Sequence, residues 1–240
     1  MHRFYITQGQ IVGSEIRFTP SQARQMSRVL RMEIGERVLT FNGSGQEWEV
    51  EIVRISPRQA VGLILARRSV AQESPLQITL LQGLLKGSRM DYLIQKAAEL
   101  GVAEIILLHL HRTVAEGLGK LHRWRRIAIE ASEQSGRLTI PAVTGPYPLK
   151  AYLAGEEAGC SLLLWERERG RTLSEFLDRE PPSPRVRILI GPEGGLDDDE
   201  VHLFTRAGFI PLSLGPRTLR AETAAIAAVT ILQHRWGDLR

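Results

Sequence analysis

The sequence predicts an α/β protein in two parts: a small N-terminal β-barrel domain, then a larger parallel α/β domain. Three observations carry this. Residues 1–68 read as short strands around one helix, with turn residues between them. From Leu76 onward, near-continuous apolar runs alternate with helix-like patterns, as in a parallel sheet covered on both faces. Between the two lies Arg67–Pro75, RRSVAQESP, polar and proline-ended like a linker. The boundary is set accordingly, giving domains over residues 1–72 and 73–240.

The first helix is announced by Thr19-Pro20-Ser21-Gln22. Thr19 can cap, Pro20 suits the first position and Gln22 completes a capping box. Ala23, Met26, Val29 and Leu30 then form an inner face. Arg24, Arg28 and Arg31 recur at i, i+4 and i+7, an outer stripe. After Gly35, RVLTF, a turn over Asn42–Gly45 and EWEVEIVRI make a hairpin, and QAVGLILA adds a strand.

In the second part LQITLLQGLL reads as a buried strand and SRMDYLIQKAAEL as a helix ending at Gly101. Strand AEIILLHL and helix LHRWRRIAIEASEQS, ending at Gly136, come next. Strands CSLLLW and VRILIG follow, then helix DDDEVHLFTRA ending at Gly208, strand IPLSLG and a last helix AETAAIAAVTILQHRW. No internal repeat or low-complexity tract interrupts this order.

Composition excludes several classes. The chain has 240 residues and one cysteine, Cys160, so it holds no internal disulfide and suits the reducing cytoplasm. Its apolar runs are too short to span a bilayer, and MHRFYITQGQ has no signal-peptide core. Only Lys86, Lys96, Lys120 and Lys150 of its 31 basic residues are lysines, against a net charge of +4. Arginine grips phosphate in two-pronged fashion and stacks on bases, so the balance permits an RNA partner. No Walker loop or Gly-x-Ser-x-Gly elbow occurs. GSGQEW departs from the dinucleotide fingerprint at Trp48. His109 and His111 are expected on one strand face, with His122 following, but without Cys or acidic partners at ligand spacing no metal is expected.

Two strands end in glycine-marked loops, Ile190-Gly191-Pro192-Glu193-Gly194-Gly195-Leu196 and Leu214-Gly215-Pro216-Arg217-Thr218-Leu219-Arg220-Ala221-Glu222-Thr223. Ligands of parallel sheets sit at the carboxyl ends of strands, and glycine lets backbone come close to them. A phosphate is disfavoured, because Asp197, Asp198, Asp199 and Glu200 fill the first turn of the following helix. The loop should hold a neutral or cationic ligand; an adenosine bearing a sulfonium fits.

IGPEGGL followed by LGPRTLRAET resembles the SPOUT superfamily of knotted methyltransferases. The chain is most similar to the RsmE-like family, which methylates N3 of a uridine in 16S ribosomal RNA. VLRM at 29–32, QKAAELGV at 95–102, EASEQSGR at 130–137 and the terminal QHRWGDL share in the resemblance, which runs almost end to end. One position departs: Gln25 stands where the family is expected to carry histidine.

The resemblance implies a PUA-like barrel and a SPOUT α/β domain tied in a deep trefoil knot. It implies a homodimer, with S-adenosylmethionine bound and no metal. The Ala-rich face of the last helix (Ala221, Ala224, Ala225, Ala228) suits close packing there. The cofactor would lie against Leu164, Ile190, Gly191, Gly194, Gly195, Leu214, Gly215 and Leu219. Removing the N3 proton puts charge on O2 and O4 of the base, so a cation is wanted there: Arg220 first, Arg137 second. Glu222 or Glu193 is the candidate base. Arg3, Arg28, Arg31 and Lys86 are the RNA-contact candidates. Two other readings keep parts of this pattern: methylation of a different nucleotide or a ribose hydroxyl, and a ribosome-associated RNA-binding protein without catalysis.

Overall fold

The computed structural model describes residues 1–69, 73–114, 117, 119–153 and 159–239. The chain divides into two compact units, residues 1–73 with 132–140, and residues 74–131 with 141–240. Part of the expected linker, residues 70–72, lies outside the described residues. Its beginning, Arg67–Ser69, is strand rather than linker, paired with Trp48–Gln46.

The first unit is built on β1 (Arg3–Tyr5), β2 (Ile11–Val12), β3 (Glu15–Arg17), β4 (Arg37–Phe41), β5 (Gln46–Ile55) and β6 (Ala60–Ser69). They form one sheet in the order β1-β4-β5-β6-β3-β2, antiparallel except for β1 with β4. The sheet is a curled half-barrel whose order ends at β1 and β2. Gly43 and Gly45 take positive φ, which lets the β4–β5 hairpin turn. Phe4, Ile16, Met26, Val38, Trp48 and Ile52 are among the side chains that fill its core.

α1 (Pro20–Arg24) starts as its residues dictate. Thr19 Oγ1 accepts the Gln22 N–H at 3.3 Å, and Gln22 Oε1 accepts the Thr19 N–H at 3.0 Å. It does not continue as an α-helix through Arg31. The winding loosens to a π-turn over Gln25–Val29, and Arg31 sits at φ 54°, in the left-handed region. The stripe Arg24–Arg28–Arg31 is therefore corrected: Arg31 has left the helix. All three remain exposed, and so is Val29 at 73%, which takes it off the inner face expected for it; Ile34 is 66% exposed.

Residues 132–140 complete the first unit. Glu133 Oε1 accepts the Tyr5 N–H at 2.7 Å. The buried Arg137 pairs with Glu73 at 2.8 Å, and Glu73 Oε1 also accepts the N–H groups of Leu138 and Thr139. Burial opposes ionisation of Glu73, but the Arg137 guanidinium and the Thr139 donors hold its carboxyl below the usual range.

The second unit carries β7 (Gln77–Gly83), α2 (Ser88–Glu99), β8 (Glu104–His109), most of α3 (Leu121–Ser135), β9 (Ala142–Pro148) and α4 (Leu149–Leu153). Then come β10 (Cys160–Leu164), α5 (Leu173–Arg179), β11 (Arg185–Ile190), α6 (Asp198–Arg206), β12 (Ile210–Leu212) and α7 (Ala221–Trp236). The sheet order is β12-β10-β11-β7-β8-β9, every pair parallel. Consecutive buried residues in β8 and β10 mean that both faces are covered, since neighbours point to opposite sides.

Three elements of the second unit are absent from the sequence reading. β9 contains Gly145 and Pro146, and the proline is tolerated because β9 is an edge strand, where a missing N–H costs little. The short α4 lacks a start signal. α5 has one, the box Thr172–Glu175, but PPSP close behind reads as loop. No helix among the described residues is long and apolar enough to cross a membrane.

Candidate functional site

Because β12, β10 and β11 are adjacent and parallel, their carboxyl ends open on one side of the sheet. The residues leaving them are Trp165–Glu166, Gly191–Leu196, and Ser213–Gly215 with Arg217–Arg220. Together with Arg89, Ala221 and Ala224 they line one cavity of about 300 Å³. All eight residues expected at the cofactor (Leu164, Ile190, Gly191, Gly194, Gly195, Leu214, Gly215 and Leu219) stand on its wall.

The glycines are fixed by crowding. A Cβ on Gly83, at the end of β7, would stand 2.6 Å from the Pro192 nitrogen, so β7 presses directly on the loop. A Cβ on Gly194 would meet Arg112 Cβ at 2.9 Å, and one on Gly195 would meet Glu166 Oε1 at 2.8 Å. Gly195 also holds φ +70°, which other residues adopt at a cost. Beneath the loop the fully buried Gln82 donates from Nε2 to the Gly83 and Gly191 carbonyls at 2.9 and 3.2 Å. Above it Glu193 Oε1 accepts the Lys86 N–H at 2.8 Å and Arg89 at 3.2 Å. Glu193 is thus an anchor of the loop.

Two amides at the start of α6, those of Asp197 and Glu200, are already used. Asp197 Oδ1 accepts the Glu200 N–H at 2.7 Å, Glu200 Oε2 accepts the Asp197 N–H at 3.2 Å, and Glu200 Oε1 accepts the His111 N–H at 2.7 Å. Asp197 is therefore the cap rather than a first-turn residue. The Glu200 N–H bond, opposed by slight burial and aided by His111, holds the Asp197 carboxyl below its usual range. An incoming phosphate would meet two amides already taken and the acids Asp197–Glu200 at that helix start.

His111 corrects another expectation. β8 stops at His109, so the two histidines share no strand face; His111 lies in the following turn, its Nδ1 2.8 Å from Asp197 Oδ2. No cluster of three or more potential metal ligands occurs among the described residues.

The candidate reactive groups separate in space. Arg220 caps α7 by its backbone, lines the cavity, is exposed, and makes no side-chain hydrogen bond or ion pair among the described residues. Arg137 is held by Glu73 in the first unit and is not on the cavity wall. Glu222, in the first turn of α7, is buried. Its Oε1 lies 3.9 Å from Arg89 Nε, and its Oε2 has no partner among the described residues.

Among the RNA-contact candidates, Arg28, Arg31 and Lys86 are exposed. Arg3 is spent internally: its guanidinium pairs with Glu47 at 2.6 Å, stacks over Phe41, and leaves a side chain 14% exposed. Sequence reasoning missed Trp165, Glu166 and Arg89 on the wall. The first two follow directly on the end of a parallel strand, which is the available signal; Arg89 carries none.

Residues 72–233 match the model of the RNA methyltransferase domain, and residues 24–65 that of the RNA methyltransferase PUA domain. The chain is 32% identical to the ribosomal RNA small subunit methyltransferase E of Buchnera aphidicola subsp. Schizaphis graminum, covering 99% of this chain and 97% of that one. It is also 32% identical to the protein of that name from Synechocystis, covering 95% of this chain and 76% of the other. The solved ribosomal RNA small subunit methyltransferase E of Neisseria gonorrhoeae, bound to S-adenosyl methionine, superposes with a TM-score of 0.91 at 34% identity over all of both chains.

Proposed function

The chain belongs to the ribosomal RNA small subunit methyltransferase E family, and from that premise we propose that it transfers a methyl group from S-adenosylmethionine to N3 of a specific uridine in 16S ribosomal RNA. The observation that carries the reading is the cavity itself. Three loops at adjacent strand ends surround it, and the acidic start of the neighbouring helix has engaged the amides of Asp197 and Glu200. That arrangement suits an uncharged adenosine with a cationic sulfonium, and its acidic helix start disfavours a phosphate there.

The residues present fit that cofactor. Leu164, Ile190, Leu196 and Leu219 offer an apolar wall to adenine. The glycines bring main-chain groups close, and the Trp165 indole N–H is a buried donor without a partner among the described residues. When bound, S-adenosylmethionine supplies the electrophilic methyl group. The chain's own task is to bind the base, remove the imide proton and stabilise the charge that moves onto O2 and O4. Arg220, on the wall and without a side-chain partner among the described residues, is assigned to that charge. Glu222, whose Oε2 has no partner among the described residues, is the candidate for the proton although it does not itself line the cavity.

The exposed Arg28, Arg31 and Lys86 serve as phosphate contacts that give affinity, while the cavity selects the base. The target base leaves its stack to reach it. A PUA-like domain over residues 1–72, a methyltransferase domain over 73–240 with a trefoil knot, a homodimer acting on the small subunit, and a cytoplasmic location complete the proposal. The test is methyl transfer from radiolabelled S-adenosylmethionine to small subunits lacking the modification, with the product nucleoside identified by mass spectrometry. 3-Methyluridine is expected. A methylated ribose or another base would overturn the assignment to N3, and no transfer by a protein that binds the cofactor would overturn the enzyme reading.

A further inference from the structure

We infer that the Glu166 carboxylate is a cofactor-binding group, accepting hydrogen bonds from O–H or N–H donors of bound S-adenosylmethionine; the inference rests on the reading above. Two acids line the cavity, Glu166 and Glu193. Glu193 is occupied by the Lys86 N–H and Arg89. Glu166 is exposed and makes no side-chain hydrogen bond or ion pair among the described residues, although it sits in the arginine-rich stretch Trp165–Arg171. The arginines beside it are committed elsewhere. Arg167 pairs with Asp198 at 3.1 Å, and Arg169 Nη1 donates to the main-chain oxygens of Glu166 and Glu168.

Its position is also defended. β10 lies between β11 and β12, so the residues leaving it stand between the two glycine loops. The carboxylate lies over Gly195, with Oε1 2.8 Å from where a Cβ would be. The absence of a side chain at 195 thus makes room for Glu166 as well as for a ligand. An ionised carboxylate only accepts hydrogen bonds. It repels phosphate and favours a ligand that brings donors and positive charge, and the cofactor has both in its ribose hydroxyls and its amino-acid ammonium.

The test is calorimetric binding of S-adenosylhomocysteine and of 5′-methylthioadenosine, which keeps the ribose but lacks the amino acid. Wild type, Glu166→Ala and Glu166→Gln are compared, with thermal melts to confirm folding. Losing hydrogen bonds to a charged acceptor should weaken S-adenosylhomocysteine by about tenfold or more. If methylthioadenosine weakens equally, the donors are the ribose hydroxyls; if it is unaffected, the donor is the ammonium. Both results support the role. Unchanged affinity for both ligands in folded variants would overturn it while leaving the cofactor reading intact. A wild-type protein that binds neither ligand would overturn the cofactor reading itself.

Discussion

Asp197 and Glu200 cap one another: each carboxylate accepts the other's backbone N–H, at 2.7 and 3.2 Å. A glycine-rich loop leading into a helix ordinarily offers those amides to phosphate. Here two of them, those of Asp197 and Glu200, are closed off by side chains three residues apart, and Asp198 and Asp199 add negative charge. The expected consequence is a ligand preference. S-adenosylmethionine and S-adenosylhomocysteine should bind in calorimetry and ATP should not, and competitive displacement by ATP at comparable concentration would contradict it.

The same cap makes stability pH-dependent. The Asp197 carboxyl is held below its usual value in the folded chain, mainly by the Glu200 N–H. A depressed folded pKa contributes stability that is full above the unfolded value of about 3.9 and is lost as pH falls through the folded one. Asp197→Ala should lower the melting temperature at neutral pH, the loss of a cap being typically about 1 kcal/mol. The gap between variant and wild type should narrow as the pH is taken below about 4. A gap that stays constant down to the acid limit would assign the effect to something other than this carboxylate.

The glycines predict a graded series. Gly195→Val should abolish cofactor binding, since it combines a positive φ with a side chain forced into Glu166. Gly83→Ala should weaken binding although Gly83 is not on the cavity wall, because its Cβ would stand 2.6 Å from the Pro192 nitrogen and move the loop. Gly215→Ala meets nothing within 4 Å and bears only the cost of φ +121°. It should be the mildest of the three. Equal affinities across the series would remove the crowding argument.

Cys160 provides a chemical check on the sheet. Burial first, and the charge of Glu180 second, push its thiol up to about 11. The thiolate is the reactive form, so alkylation of the native protein should be slow at neutral pH and accelerate as pH rises. Rapid labelling at pH 7 without unfolding would mean that the end of β10 opens.

Much of the fold and of the site is legible in the residues alone. The boundaries of α3 follow from its periodicity and the glycine after it, those of α7 from its run of Ala and other helix formers and from Gly237, and the cavity wall follows from two glycine loops at strand ends. What is not legible depends on long-range packing. Residues 132–140 pack with residues 1–73 through Glu133–Tyr5 and Arg137–Glu73, pairs separated by 128 and 64 positions, which no local pattern announces. The break of the arginine stripe at the π-turn is hidden for a related reason. Met32, buried in the half-barrel core and hydrogen-bonded by its N–H to the Met26 carbonyl, overrides the helical spacing of Arg24, Arg28 and Arg31.

That corrected surface still predicts a binding contribution. Arg28 and Arg31 are exposed next to exposed Val29, and their side chains have no partner among the described residues. Reversing both to glutamate should weaken binding to ribosomal RNA and reduce the slope of log affinity against log salt, by about one unit for each phosphate no longer neutralised. Binding of S-adenosylhomocysteine should be unchanged. Normal RNA binding at every salt concentration would leave the two arginines as solvated charges.

The chemistry should divide between two arginines that the sequence alone ranks only by position. Arg220 is on the cavity wall and has no side-chain partner among the described residues, so Arg220→Ala should leave cofactor affinity and melting temperature near wild type. The methyl-transfer step should fall by about 10²–10³, the usual cost of one preorganised donor to developing charge. Raising the pH should partly restore the rate, because solvent base then helps to take the N3 proton; Gly195→Val, defective in binding, should respond less. Arg137 is 6% exposed and engaged with Glu73. Arg137→Ala should therefore act through stability, lowering the melting temperature and leaving Glu73 without its cation. Single-turnover rates measured on folded protein separate the two. A normal rate for Arg220→Ala, or a rate defect in a fully folded Arg137→Ala, would reverse the assignment.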